Sequence, residues 1–329
     1  MQPEARETTM EENPPTRQPN RRTDLLGVHS LDHFSLTVPD LAQAESFYRT
    51  FGLATADQGS ALGLYTDGHP HRWGSLTEGP AKKLRHLSFG VYADDLPRFE
   101  RRLERLGVPR LAPPPGADGD GLWFHDCDGL LIELRDAQKS SPDEKSRTHM
   151  PVSPPGVRCA PLRDETTEVR PRRLQHVLIF TRDVNRVVEF YARTLGLRLS
   201  DQAGDVAFMH GVHGSDHHLL AFAGSDRPGF HHCSWDVSSV HEVGLGAMQM
   251  ADQGFHAGWG LGRHVLGSNY FHYVRDPWGS YSEYSAAMDY IPCDMDWTAR
   301  QHQPENGFFL WGPEPPKDFA VNGESDQWA

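Results

Sequence analysis

Two stretches of the chain carry the same run of apolar and polar positions. Residues 31–38 (LDHFSLTV) and 174–181 (LQHVLIFT) are short, largely apolar runs with one His each and some two-residue alternation, which predicts a β-strand in both places. Each is followed by an Asp placed to cap a helix (Asp40, Asp183), a helical stretch with Phe-Tyr near its end, and a Gly at the helix exit (Gly52, Gly196). The reading is strand, helix, turn, twice.

The echo continues downstream. LRHLSFGV (84–91) matches FHHCSWDV (230–237), and WFHDCDGLLIELRDA (123–137) matches YVRDPWGSYSEYSAA (273–287). Between these pairs lie amphipathic helices, DLPRFERRLERLGV (95–108) and a segment around VHEVGLGAMQMADQGF (240–255). A repeat this long signals duplication of a whole domain. The expected fold class is α+β, with two tandem domains, each of two βαβββ units whose strands curl into an incomplete barrel around a cleft. Residues 138–171 are rich in Pro, Ser and charge and read as an interdomain linker. The expected organisation is a disordered tail over 1–26, a domain at 27–137, the linker, a second domain at 172–290, and a C-terminal extension at 291–329.

Composition narrows the function classes. A chain of 329 residues with 37% hydrophobic and 23% charged positions is a globular sequence of about two domains, and no run is long and apolar enough to span a membrane. The first residues lack the apolar core of a secretory signal, and the four cysteines form no CxxC pair, so a reducing cytoplasm is expected. A formal charge of −13 leaves no basic stripe for nucleic acid. The outlying count is 19 histidines, which points to metal or acid–base chemistry.

The repeat places His176, His232 and Glu283 on separate strands that would face one cleft. A lone strand His is usually a half-buried packing residue. Two imidazoles and one carboxylate in register, however, form the facial donor set of non-haem Fe(II) oxygenases and leave positions open for substrate and O₂. Strand alternation does not decide between His231 and His232; His232 is preferred because it aligns with His86 in the first domain, and His231 is given a flanking role. His33, His86 and Glu133 match the three donors in the first domain and read as a relic of duplication. GHPHRW (68–73) reads as a turn entering a strand.

GRHVLGSNYFHYVRDPWGSYSEY (262–284), with DHHLLAF (216–222) and GFHHCSWDV (229–237) upstream, resembles the type I extradiol ring-cleaving dioxygenases of the vicinal oxygen chelate superfamily. The resemblance spans both domains. It implies the vicinal oxygen chelate fold, His176, His232 and Glu283 as ligands of Fe(II), with Mn(II) as the alternative metal, and a non-catalytic first domain. His218 would be the acid–base that faces O₂, and His264 and Tyr273 would hydrogen-bond the substrate hydroxyls. A catechol-type substrate, O₂ and a homo-oligomer are the implied partners. Two other classes in the superfamily are the redox-neutral glyoxalase-like isomerases or thiol transferases and the non-catalytic bleomycin-resistance type. Neither needs the set His218, His264 and Tyr273. Trp259, just upstream of the GRH motif, suggests a neutral or apolar ring substituent, and the aromatic tail after residue 290 reads either as a cover over the pocket or as simple packing.

Overall fold

In the computed structural model, residues 20–117, 119 and 121–324 are described. The first half runs β1 (Ser30–Val38), α1 (Leu41–Thr50), β2 (Ala54–Asp57), β3 (Ala61–Tyr65), β4 (Arg72–Glu78), β5 (Lys83–Val91), α2 (Leu96–Leu106), β6 (Leu122–His125) and β7 (Leu131–Asp136). Its seven strands form one sheet in the order β2-β3-β4-β1-β5-β7-β6. The first unit is βαβββ as expected. In the second, the strand after α2 shrinks to a single bridge between Leu111 and Trp123. Pro113, Pro114 and Pro115 follow one residue after Leu111, and proline has no N–H to extend a ladder.

The second half repeats the plan with β8 (Arg173–Thr181), α3 (Val184–Leu195), β9 (Arg198–Ala203), β10 (Val206–His210), β11 (Ser215–Asp216), β12 (Leu220–Gly224), β13 (Gly229–Asp236), α4 (Val240–Asp252), β14 (Gly258–His264), β15 (Tyr270–Arg275) and β16 (Tyr281–Ala286). The extension adds β17 (Tyr290–Ile291), β18 (Arg300–His302), α5 (Pro304–Gly307) and β19 (Phe309–Trp311). β18 and β19 attach to the two edges of a ten-stranded sheet, β18-β9-β10-β12-β8-β13-β16-β15-β14-β19. The extension therefore belongs to the second sheet.

Local chemistry accounts for the repeated unit. Asp40 and Asp183 each accept a hydrogen bond from a first-turn amide, Gln43 N and Arg186 N, as helix N-caps do. Gly52 and Gly196 leave the helices with φ of +93° and +72°, and a Cβ there would lie 2.0 Å from Val169 O and 2.3 Å from Leu26 O. Both the left-handed backbone and the close approach require glycine.

The two halves share one apolar core. Phe51 stacks on Tyr284 with centroids 3.8 Å apart, Phe34 packs on Phe230, and Phe89 packs on Tyr191. Tyr284 also donates its hydroxyl hydrogen to the Phe51 carbonyl at 2.9 Å. Burying each such ring contributes on the order of 1.5–3 kcal/mol. Polar ties cross the same boundary too, among them Tyr191 Oη to Asp126 Oδ2 at 3.0 Å, Gln249 Nε2 to the Thr50 carbonyl at 2.7 Å and Lys82 Nζ to Asp276 Oδ2 at 3.8 Å. The expected disordered tail falls mostly on residues 1–19, outside the described residues. Residues 20–26 run against the fold: Arg21 lies 4.0 Å over the Tyr92 ring and bonds to Asp94, and Arg22 donates to the Cys293 carbonyl at 3.1 Å. Among the described residues no helix is long and apolar enough to cross a membrane.

Candidate metal centre

Residues paired directly across a sheet point to the same face. Ser234 on β13 pairs with His176 on β8 and with Glu283 on β16; Glu283 pairs with Tyr273 on β15, and Tyr273 with Trp259 on β14. One transverse row on the concave face is therefore His176, Ser234, Glu283, Tyr273, Trp259. His232, two residues from Ser234, joins it. The opposite face carries Val177, Cys233, Trp235 and Tyr284 into the shared core. Alternation thus separates the chemistry from the packing.

The three expected donors converge. His176 Nε2 lies 3.1 Å from His232 Nε2, and Glu283 Oε2 lies 3.3 Å and 3.6 Å from those two nitrogens. All three residues are buried, Glu283 completely. Asn269 Nδ2 donates to Glu283 Oε1 at 3.2 Å and to Ser285 Oγ at 2.9 Å, while Glu283 Oε2 has no hydrogen-bond partner. A fully buried carboxylate oxygen facing two imidazole nitrogens needs a positive charge beside it. The donor types and their convergence fit a divalent transition metal.

Between Phe230 and His232 the register of β13 shifts by one residue, so His231 is a bulged position. His231 also reaches the concave side, where its ring meets Phe180, Tyr281 and Phe319. Its Nε2 lies 2.7 Å from the Phe319 carbonyl and so donates there; its Nδ1 lies 2.6 Å from His232 Nδ1. With neutral rings, His232 donates from Nδ1 to His231, which leaves the His232 Nε2 lone pair aimed at His176 and Glu283. The second His of the pair is the one that joins the donor set.

His218 stands beside the three donors, its ring 4.2 Å from that of His176. Its Nδ1 is 3.1 Å from His217 Nδ1, and His217 Nε2 is 2.9 Å from Asp201 Oδ2, whose other oxygen meets His302 Nε2 at 2.9 Å. Starting from the Asp201 carboxylate with a neutral His217, the protons fall so that His218 Nε2 is a free acceptor. Across the row, His264 Nδ1 donates to the Phe308 carbonyl at 2.8 Å and its Nε2 accepts from the Tyr273 hydroxyl at 3.0 Å. Burial first, and the neighbouring imidazoles second, hold His218 and His232 well below the ordinary histidine range, and burial also lowers His264. Burial, with Glu283 nearby, keeps Tyr273 protonated far above its usual range. The imidazoles are held neutral, as metal binding and proton acceptance require.

These residues line a cavity of about 290 Å³ whose other walls are mostly apolar, among them Leu178, Phe180, Phe208, Leu266, Phe308 and Phe319. A larger groove of about 660 Å³ lies elsewhere and contains none of the candidate residues. The sequence reading did not assign Asn269, although it stands inside the GRHVLGSN motif; its buried carboxamide is what orients Glu283. Phe308 and Phe319 belong to the aromatic tail, whose contacts no periodicity predicts. In the first half His33 and His86 also meet, Nε2 to Nε2 at 3.4 Å, with Glu133 beside them.

Comparison with known proteins gives the family and the fold. Residues 30–134 and 173–284 each match the model of the family described as Glyoxalase/Bleomycin resistance protein/Dioxygenase superfamily. Metapyrocatechase 2 of Cupriavidus necator is 46% identical over 299 residues, covering 91% of this chain and 93% of that protein. The Manganese-dependent 2,3-dihydroxybiphenyl 1,2-dioxygenase of Geobacillus genomosp. 3 is 25% identical over 86% of this chain and 93% of its own. Among solved structures, a variant of Homoprotocatechuate 2,3-Dioxygenase from B.fuscum in complex with HPCA superposes with a TM-score of 0.75 at 21% identity, covering 92% of this chain and 83% of that one, and shares the fold.

Proposed function

Since the chain belongs to the Glyoxalase/Bleomycin resistance protein/Dioxygenase superfamily, we propose from its site that it is an extradiol dioxygenase that uses O₂ to open a catechol-type ring beside its two hydroxyls. The carrying observation is the unpartnered Glu283 Oε2, which faces two imidazole nitrogens at the floor of a cavity flanked by His218 on one side and His264 with Tyr273 on the other. His176, His232 and Glu283 hold the metal. Iron(II) is the metal we assign, and Mn(II) is the alternative that the same donors accept. A metal held by these residues would supply Lewis acidity to a coordinated hydroxyl and a path for electrons between ring and O₂.

The chain's own groups manage position and protons. Both oxygen atoms enter the product, so catechol plus O₂ becomes a hydroxymuconic semialdehyde with no net gain or loss of protons. A group that takes a proton from a substrate hydroxyl must therefore give one back. His218, buried, neutral and with Nε2 free, takes that proton and returns it to the oxygen released as the O–O bond breaks. Tyr273, protonated throughout, gives its one hydroxyl hydrogen to His264 Nε2, which orients it, and offers its oxygen lone pairs to a substrate hydroxyl. Leu178, Phe180, Phe208 and Phe308 exclude water and hold the ring. Among the described residues no Lys or Arg lines the cavity, which favours catechols with neutral or apolar substituents.

Anaerobic reloading with Fe(II), followed by assays on a panel of substituted catechols, tests this. One O₂ should be consumed per ring with a yellow product, and His232→Ala and Glu283→Ala should each lower bound metal by one equivalent and abolish cleavage. Undiminished metal in both variants would refute the ligand assignment. Catechol turnover without O₂ uptake would point instead to a redox-neutral member of the superfamily.

A further inference from the structure

The duplication leaves a second donor set in the first half, and its surroundings are built. On β1, β5 and β7, Ser88 pairs with His33 on one side and Glu133 on the other, as Ser234 pairs with His176 and Glu283. His86 lies two residues before Ser88, as His232 lies two before Ser234. One ligand atom from each of His33, His86 and Glu133 falls within 4.8 Å of the others.

Three features argue for a ligand rather than a relic. Glu133 is 1% exposed; its Oε2 accepts from Ser88 Oγ at 2.5 Å, but its buried Oε1 has no partner. Gly121 backs that oxygen so closely that a Cβ there would lie 2.7 Å from it, so the carboxylate is confined. His33 Nδ1 lies 2.8 Å from Asp32 Oδ2, and the pair is almost fully buried. A carboxylate that receives the Nδ1 proton turns the Nε2 lone pair towards His86 and Glu133, the arrangement that metal-binding histidines commonly carry. His176 has no such partner on its Nδ1. Glu133 and Asp32 together supply the two negative charges that a dication would balance.

We propose that His33, His86 and Glu133 bind a divalent transition-metal cation in a structural site that ties β1, β5 and β7 together. Two imidazoles and a carboxylate favour zinc over iron or manganese by the usual affinity order. The site is not a second catalytic centre. Trp123 pairs with Glu133 where Tyr273 pairs with Glu283, and the register puts Arg72 where His218 stands. Neither side chain can serve as the acid–base there.

The test is metal content and stability of the full chain, stripped by chelator without air, reloaded with Zn(II) and freed of excess. Wild type should retain two equivalents, Glu283→Gln one, His86→Asn one, and the double variant none. Zn(II) should raise the Tm of Glu283→Gln, and the rise should vanish when His86→Asn is added. Glu133→Gln keeps the shape and the Ser88 contact, so it reports on the site even if His86→Asn folds poorly. One equivalent in wild type with none in Glu283→Gln overturns the proposal, and so does zinc content unchanged by both His86→Asn and Glu133→Gln. A wrong assignment of the catalytic ligands gives a different pattern, in which Glu283→Gln loses nothing while His86→Asn loses one.

Discussion

Apart from His176, each histidine lining the cavity has a ring nitrogen fixed by a partner, and for His218 and His232 that partner determines what the other nitrogen can do. For His218 the partner is His217, so its free Nε2 is its working atom. His218→Phe should keep metal and still bind catechol without air, while cleavage slows by about 10²–10⁴-fold, the usual loss of a general acid or base. Single-turnover reaction with O₂ measures this; normal turnover in that variant would leave the reaction without its proton carrier. Tyr273→Phe removes one hydrogen bond and should cost less. For His232 the partner is His231. His231→Phe leaves His232 Nδ1 without an acceptor and should weaken metal binding by about 10–100-fold, read by competition with a chelator. Unchanged affinity would make His231 a packing residue only. The histidine pair also shows where sequence reading stops. Alternation assumes an unbroken pleat, and the bulge at His231 brings neighbours to the same side, so periodicity could not rank them and only alignment with His86 did.

The elements themselves were legible because each repeated signal has a local cause. Asp40 and Asp183 cap, and Gly52 and Gly196 leave their helices through a conformation that only glycine takes easily. The full strand expected after α2 from the repeat is prevented by the three prolines in a row that follow Leu111 and Ala112. The turn between β6 and β7 has its own energetic consequence. Asp126 Oδ1 accepts from Asp128 N at 2.9 Å and Leu130 N at 2.8 Å, and Oδ2 accepts from Tyr191. Burial outweighs these bonds and pushes the carboxyl up to about 6. The unfolded carboxyl releases its proton near ~3.9, so between the two values the native chain holds more protons. Stability should therefore fall as pH rises through that window and stay level above it. Asp126→Asn removes the buried charge and should exceed wild type by about 1–3 kcal/mol at pH 8, with the gap closing near pH 4, in urea unfolding at each pH. An equal gap at both would show that packing, not ionisation, sets it.

At the scale of the whole molecule, two sheets share one core while the active face of the second is finished by the C-terminal extension. Phe308 and Phe319 wall the cavity, and their carbonyls hold His264 and His231. A chain ending at Gln303 loses β19 but should keep the interior of both sheets, seen as unchanged hydrogen-exchange protection of β1 and β8. It should bind catechol and metal at least ~10-fold more weakly, since both ring anchors and the cavity wall are lost. Affinities equal to wild type would reduce the extension to a cover. The tail was the least legible part of the sequence, because its contacts depend on where distant strands end and on no periodicity of its own. Its place in the chain also imposes an order in time. Protein synthesis runs from the first residue to the last, so His176, His232 and Glu283 leave the ribosome before the carbonyl of Phe319. A nascent chain can bring its donors together while His232 is still free to present either nitrogen, and it becomes fit to take up metal in the working arrangement only once the Phe319 carbonyl has docked on His231.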